Sequence, residues 1–304
     1  MHHKYGAFRH CDGTIHDLCW PYPRAKGADM NIRTQPTALV TGASSGMGKS
    51  IAKRLIADGY LVYVAARSLD RMADLEKLGA VALRMDISSD EDIVATVAAI
   101  TARSGGVDVL VNNAGYGLYG PVEEVPLDEA RYQFEVNVFG TARLTQLLMP
   151  AMRARGKGTI INITSMGGKI YTVLGAWYHA TKHALEGWSD SLRLEAEPFG
   201  IRVVVIEPGL IETGFGAAAA QGLLERSANG PYAKMAQSVA ASMERSYGKG
   251  MGTDPEVIAN VVSKAVRSAR PKTRYAAGKY ARLMIGVRKW FGDRAFDRLI
   301  RSQM

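Results

Sequence analysis

The sequence is poor in cysteine: of 304 residues, only Cys11 and Cys19 carry thiols. Two thiols cannot build a disulfide framework, and their spacing matches no common zinc pattern even with His10 and His16 nearby. Long apolar runs are also missing. No stretch approaches the ~20 residues a membrane-spanning helix needs, and the opening Met1-His2-His3-Lys4 lacks the apolar core of a secretory leader. A soluble, cytoplasmic protein that binds no metal is expected. There are no internal repeats, and the only low-complexity tract is the four alanines at 217–220.

Acidic residues are scarce at one end of the chain. From 270 to 304 there are ten Lys or Arg against two Asp, so +8 of the formal +9 belongs to this end. Positive charge gathered there, with no recognisable nucleic-acid module, argues against a nucleic-acid partner. Residues 281–304 instead read as a basic amphipathic helical segment. Leu283, Val287, Trp290 and Phe291 form one stripe, continued past Gly292 by Phe296, Leu299 and Ile300. Such an end is either a solvated face or a peripheral contact with an anionic membrane surface.

What is plentiful is alternation. Residues 1–36 carry Pro21, Pro23 and Pro36 and no period, which predicts a disordered or loosely packed extension. From Thr37 onward, short apolar runs at 37–41, 60–65, 81–84, 107–111, 159–163 and 203–206 alternate with amphipathic stretches. One such stretch is 49–58, closed by Gly59. Nearly continuous apolar strands imply helices on both faces. The expected fold is α/β: one doubly wound, Rossmann-type parallel sheet in three layers, a single domain over 37–280 with a C-terminal helical substrate lid.

Within that frame, Thr41-Gly42-Ala43-Ser44-Ser45-Gly46-Met47-Gly48 joins the first strand to a helix. Glycines let the backbone turn sharply and approach a diphosphate, while the helix N-terminus supplies N–H donors and a positive dipole end. After the second strand, a carboxylate would bond an adenosine ribose 2′-hydroxyl and select NAD(H). This chain has Ala66, Arg67 and Ser68 there. An arginine without a competing acid suits a 2′-phosphate and favours NADP(H) over NAD(H). Further on, Tyr178 and Lys182 share one helix face. A nearby cation is expected to draw the phenol, near pKa 10 when free, toward the working range. Ser165 ends a strand at the mouth of the sheet, where its hydroxyl can hold a carbonyl.

Taken together, these motifs resemble the single-domain branch of the short-chain dehydrogenase/reductase family, over roughly 37–277. TGASSGMG is similar to its TGxxxGxG cofactor turn. Asp86 falls where the family contacts adenine, Asn112-Asn113-Ala114-Gly115 matches its NNAG, and Pro208-Gly209 with Thr213 matches its nicotinamide carboxamide stretch. Asn137, Ser165, Tyr178 and Lys182 complete its catalytic tetrad. The resemblance implies a cofactor set of Gly42, Ser44, Ser45, Gly46, Met47, Gly48, Arg67, Ser68, Asp86, Ile87, Asn113, Ala114, Gly115, Tyr178, Lys182, Pro208, Gly209, Ile211 and Thr213. It also implies hydride transfer between nicotinamide C4 and a carbonyl carbon. Tyr178 would exchange the proton, Lys182 would hold the ribose and Ser165 would orient the carbonyl. Asn137 would keep a water in the relay. Homodimers or homotetramers are the family's habit. Three positions depart from the common pattern, Met47, Thr164 and Glu207, and none of them is a reacting group.

For the substrate, Ser165, Met166, Tyr171, Trp177, Tyr178 and Phe215 are the candidate contacts. Residues 214–252, rich in small residues, read as a long loop acting as a substrate lid, with Phe215, Leu223, Leu224, Tyr232, Met235 and Met243 on its inner side. An apolar lid and an apolar C-terminal helix suggest a hydrophobic carbonyl or alcohol: steroid-like, retinoid-like or fatty. The alternatives are a reductase of carrier-bound 3-oxoacyl chains and a non-catalytic NADP(H)-sensing regulator, though the latter would be expected to have lost part of the tetrad. His179 and His183 are expected at the surface or in a subunit contact. Asn162 fits a glycosylation sequon but falls in a buried strand.

Overall fold

Six strands form close to where the apolar runs lie: β1 (Thr37–Thr41), β2 (Leu61–Ala66), β3 (Val81–Arg84), β4 (Val109–Asn112), β5 (Gly158–Ile163) and β6 (Ile201–Pro208). A seventh, β7 (Arg274–Ala277), was not expected. It is an edge strand, partly exposed along its length, and so carries no apolar run to announce it. The strands pair in parallel in the order β3-β2-β1-β4-β5-β6-β7, in a computed structural model that describes residues 35–248 and 250–302. Cys11, Cys19, His10 and His16, and nearly all of the expected extension over 1–36, lie outside the described residues.

Both faces of the sheet are covered, which is why its central strands read as unbroken apolar runs. On one face, α1 (Gly46–Ala57) and α9 (Pro255–Arg267) press Ile51, Leu55, Ile258 and Val262 onto Val40, Val64 and Ile206. The short α2 (Ala73–Glu76) adds Leu75 to this layer. On the other face, α3 (Asp90–Ser104), α5 (Gly140–Ala154) and α6 (Ala176–Ala196) bring Ile93, Ile100, Leu144, Leu148 and Leu192 against Leu39, Tyr63 and Leu110. Local signals set the helix ends. Ser89 caps α3 by accepting the Asp92 N–H at 3.2 Å, and Gly105 closes it at φ 61°.

Two features place the site. The strand order reverses at β1, so a crevice opens between the carboxyl ends of β1 and β4, where open α/β sheets bind ligands. In addition, α4 (Leu127–Phe134) runs into α5 through a wide π-type turn, Glu135–Phe139. Such a turn inserts a residue into the helix and re-aims its neighbours, here Asn137.

The stretch read as a long loop over 214–252 is in fact largely helical, as α7 (Phe215–Ser227) and α8 (Ala233–Tyr247). Its alanines are strong helix formers. Their small size also lets Ala219, Ala220 and Leu223 bury against Ala236 and Ala240. The chain ends in α10 (Ala281–Arg301), bent at Gly292, whose φ of 70° only glycine adopts readily. Among the described residues, no helix is long and apolar enough to cross a membrane.

Candidate active site

The glycine-rich turn is shaped by contacts that leave no room for side chains. A Cβ on Gly48 would lie 2.4 Å from the Gly42 carbonyl oxygen, and Gly42 itself sits at φ 65°. Thr41 on β1 fixes the opposite wall: its hydroxyl accepts the N–H groups of Asn113 and Ala114, each at 3.0 Å. The Asn113 amide returns a bond to the Thr41 carbonyl at 2.9 Å. Ser45, which lines the cleft beside it, precedes α1 without a capping side-chain bond, so its hydroxyl leaves the N–H groups of the first turn uncapped. This arrangement suits a diphosphate.

The same cleft, about 490 Å³, runs from Gly42, Ser44 and Ser45 past Arg67, Ser68 and Arg71 to Asp86, Ile87, Ala114 and Gly115. Arg67 is exposed just beyond β2. Burial works to raise the Asp86 carboxyl, but hydrogen bonds from Ser88 and the charges of Arg67 and Arg84 hold it below its ordinary value. Met47, Gly209, Ile211 and Thr213 do not line this cleft; Ile211 is buried and Met47 packs against the same core cluster. The Thr213 methyl would meet a Cβ on Gly46 at 3.0 Å. Gly209, after Pro208, has no space for a side chain beside the Lys279 carbonyl. The glycine cradle suits the diphosphate of a dinucleotide.

The tetrad residues converge next to it. Tyr178 and Lys182 lie one turn apart on α6, both buried. Lys182 Nζ donates to the Ile163 carbonyl at 3.1 Å, and burial brings it down to about 8 against the opposing pull of Glu186. Tyr178 hydrogen-bonds Ser165, whose Oγ accepts the Gly167 N–H at 2.9 Å. Its phenol does not shift as expected. Burial pushes it up to about 12, with the Ser165 bond opposing, because its ring is enclosed by Tyr119 at 5.7 Å and Phe215 at 5.3 Å. Asn137 is placed by the π-type turn. Its Oδ1 accepts the Tyr116 N–H, and its Nδ2 donates to the Tyr116 carbonyl and Thr181 Oγ1, all at 3.0 Å. Its amide is therefore committed to holding the Gly115–Tyr116 segment against α6.

Ser165 and Tyr178 also border a second cavity of about 710 Å³, enclosed by α8 and α10. Met166 lines it. Tyr171 and Trp177 do not. The Tyr171 hydroxyl donates to Asp297 at 2.8 Å, and Trp177 packs into the cluster of Leu118, Val125 and Ala130. Phe215 does not line the cavity either; its ring lies tilted against Tyr178, with centroids 5.3 Å apart.

The family model described as short chain dehydrogenase matches residues 36–224. The chain belongs to the short-chain dehydrogenase/reductase family. It is 32% identical over 276 residues to the uncharacterized oxidoreductase YusZ of Bacillus subtilis, covering 88% of this chain and 98% of that one. It is 31% identical over 274 residues to the NADPH-dependent 3-dehydrocapnine reductase of Ornithobacterium rhinotracheale, covering 86% and 95%. Among solved structures, a short-chain dehydrogenase from Streptomyces avermitilis superposes with a TM-score of 0.70 at 34% identity, covering 88% of this chain and 98% of that one.

Sequence reasoning missed several residues of this short-chain dehydrogenase. Arg71 joins Arg67 through the turn before α2, where no periodicity marks it. Tyr119, Ser242, Ser246 and Tyr247 reach the cavity from a loop and from α8. The i, i+4 spacing of Ser242 and Ser246 was a usable signal once α8 was recognised as a helix.

His179 is not a surface residue. It is buried at the cavity wall, with Nδ1 donating to the Gly167 carbonyl and Nε2 accepting from the Thr172 N–H, both at 2.9 Å. His183, by contrast, is exposed. Burial brings His179 down from 6.5 to about 4. Between those values the unfolded chain takes up a proton that the folded one refuses, so stability falls as pH drops across this window. The expected loss is about 3 kcal/mol between pH 7 and 4. Denaturant melts at several pH values check it. His179→Gln should lack this component, and equal pH slopes for both proteins would refute the assignment.

Proposed function

We propose that the protein is an NADP(H)-dependent oxidoreductase acting on the carbonyl or secondary alcohol of an uncharged hydrophobic molecule. One observation carries the substrate class: among the described residues, the 710 Å³ cavity over Ser165 and Tyr178 is lined by no Asp, Glu, Lys or Arg. Its α10 wall is apolar, with Leu283, Met284 and Val287, while α8 adds Val239 and Met243 and the hydroxyls of Ser242, Ser246 and Tyr247. An anionic group inside would find no counter-charge, which disfavours a phosphate-bearing carrier arm deep in this cavity. Two features support NADP(H): Arg67 and Arg71 flank a cleft with no carboxylate at the end of β2, and one relative is named NADPH-dependent.

The geometry supports a role for each residue. The bound nicotinamide supplies or accepts the hydride. Tyr178, kept neutral by burial, holds its proton at Oη and gives it to the substrate oxygen during reduction. Ser165 Oγ orients that oxygen. Lys182 presents its ammonium between the Ile163 carbonyl and the cofactor cleft, and a Cβ on Gly115 would lie 3.8 Å from its Nζ. Asn137 is a positioning residue that keeps the Gly115–Tyr116 segment in register with α6. Phe215 on α7 and Tyr247 on α8, 5.9 Å apart, close over Tyr178 as the lid and exclude water.

A series of 2-alkanones tests the reading. Each methylene buried along the α10 wall is worth ~0.8 kcal/mol, so kcat/KM with NADPH should rise about fourfold per carbon until the cavity is filled. A flat series, or preference for sugars and polyols, would overturn it.

A further inference from the structure

The exposed surface of α10 is the part of the molecule that the reaction leaves unexplained. Trp290 and Phe291 are 75% and 71% exposed, in a protein whose other aromatic side chains are mostly packed away. They end the first half of α10, immediately before the bend at Gly292, while beyond it Phe296 and Ile300 are buried. The bend thus separates a half-helix that packs inward from one that presents its largest side chains outward. Leu283, one heptad before Trp290 and on the same helical face, is 60% exposed. Leu283 and the 48% exposed Tyr280 also line the 710 Å³ cavity, so they mark its rim. The aromatic ledge and the cavity mouth are therefore continuous along one helix.

The helix that carries this ledge also carries exposed cations before and after the bend. Arg282, Lys289, Arg294, Arg298 and Arg301 are exposed, and none of them makes an ion pair among the described residues. Lys289 lies over the Trp290 ring at 5.2 Å, and Lys279 over Tyr280 at 5.4 Å. The two acids of α10 are both engaged, Asp293 with Arg288 and Asp297 with the Tyr171 hydroxyl.

We propose that this face of α10 docks on an anionic lipid bilayer, with Trp290 and Phe291 entering the headgroup–acyl boundary and the flanking cations holding the lipid phosphates. Exposed Trp and Phe on one helix with Arg and Lys form the pattern of helices that lie in the membrane interface. The other obvious occupant, a second copy of the chain, fits worse, because a two-fold contact would bring the same unpaired cations face to face. Docking in this way points the cavity rim at the lipid, so a lipophilic ketone reaches Tyr178 without crossing water. That last consequence rests on the hydrophobic-substrate reading; the docking itself does not.

Co-sedimentation of the full-length protein with vesicles tests the proposal without any substrate. Vesicles of equimolar phosphatidylserine and phosphatidylcholine should bind the protein at low salt and release it at high salt, and pure phosphatidylcholine should bind far less. Trp290→Ser/Phe291→Ser should weaken binding at least ~tenfold, because the lost burial is large for two aromatic rings, and Lys289→Glu/Arg294→Glu should do the same by charge alone. An unchanged melting temperature serves as the fold control for both variants. No binding by the wild type, or binding that both variants retain, overturns the proposal. So does a change of oligomer size in the aromatic variant with vesicle binding unaltered, which would assign the face to a second copy. Vesicle binding without activity on lipophilic ketones would instead refute the substrate class and leave the docking intact.

Discussion

Replacing Tyr178 with Phe is expected to lower kcat by roughly 10³-fold while leaving NADPH binding and folding nearly unchanged. The ring packs between Tyr119 and Phe215, and Phe preserves those contacts. What disappears is one hydroxyl, its bond to Ser165 and the proton it carries. Because burial pushes the phenol up to about 12, it is protonated at neutral pH and ready to donate as the substrate oxygen gains electron density. No neighbour substitutes for it. His179, the nearest ring nitrogen donor, has both nitrogens engaged and is held neutral by burial. Fluorescence titration with NADPH, melting temperature and kcat measured on the same preparation check the prediction. A fall of less than tenfold in kcat would remove Tyr178 from the proton path.

The second large effect is expected at the other end of the cofactor cleft. Arg67→Ala/Arg71→Ala should weaken NADPH binding roughly 10²-fold and NADH binding less than about threefold. Charge-assisted bonds to a phosphate contribute about 1.5–3 kcal/mol each. Exposure of Arg67 tempers the sum, so about 3 kcal/mol for the pair is a fair figure. Losing Arg67 also removes one of the charges that balance Asp86, whose carboxylate would then repel a 2′-phosphate more strongly. Equal weakening of both cofactors would mean that the arginines serve the cleft's structure. A wild type that favours NADH would refute the NADP(H) reading itself.

The sequence made the cofactor half of the site legible and left much of the substrate half unread, for a physical reason. The turn at Gly42–Gly48, the Asn113–Gly115 loop and the Tyr178–Lys182 pair are each set by local requirements: no Cβ, a close backbone approach, one helix face. Such requirements are written in consecutive residues. The cavity is assembled from segments far apart in the chain, so Tyr119, Ser242, Tyr247 and Leu283 meet only after the chain folds. The misreading of 214–252 as a loop came from judging small residues as mobile, when Ala219, Ala220, Ala236 and Ala240 are small because two helices press together there. β7 and His179 failed for related reasons. An edge strand buries too little to show a pattern, and the partners of a buried histidine, Gly167 and Thr172, cannot be inferred from its neighbours in sequence.

Isotope transfer tests the central claim most directly. NADPH carrying deuterium on one face of nicotinamide C4, prepared in both stereochemical forms, would be incubated with the protein and a long-chain 2-alkanone, and the alcohol product weighed by mass spectrometry. Hydride transfer within this cavity predicts alcohol carrying a single deuterium from one of the two forms and none from the other. Unlabelled alcohol from both, or no alcohol at all with NADPH bound, would contradict the account.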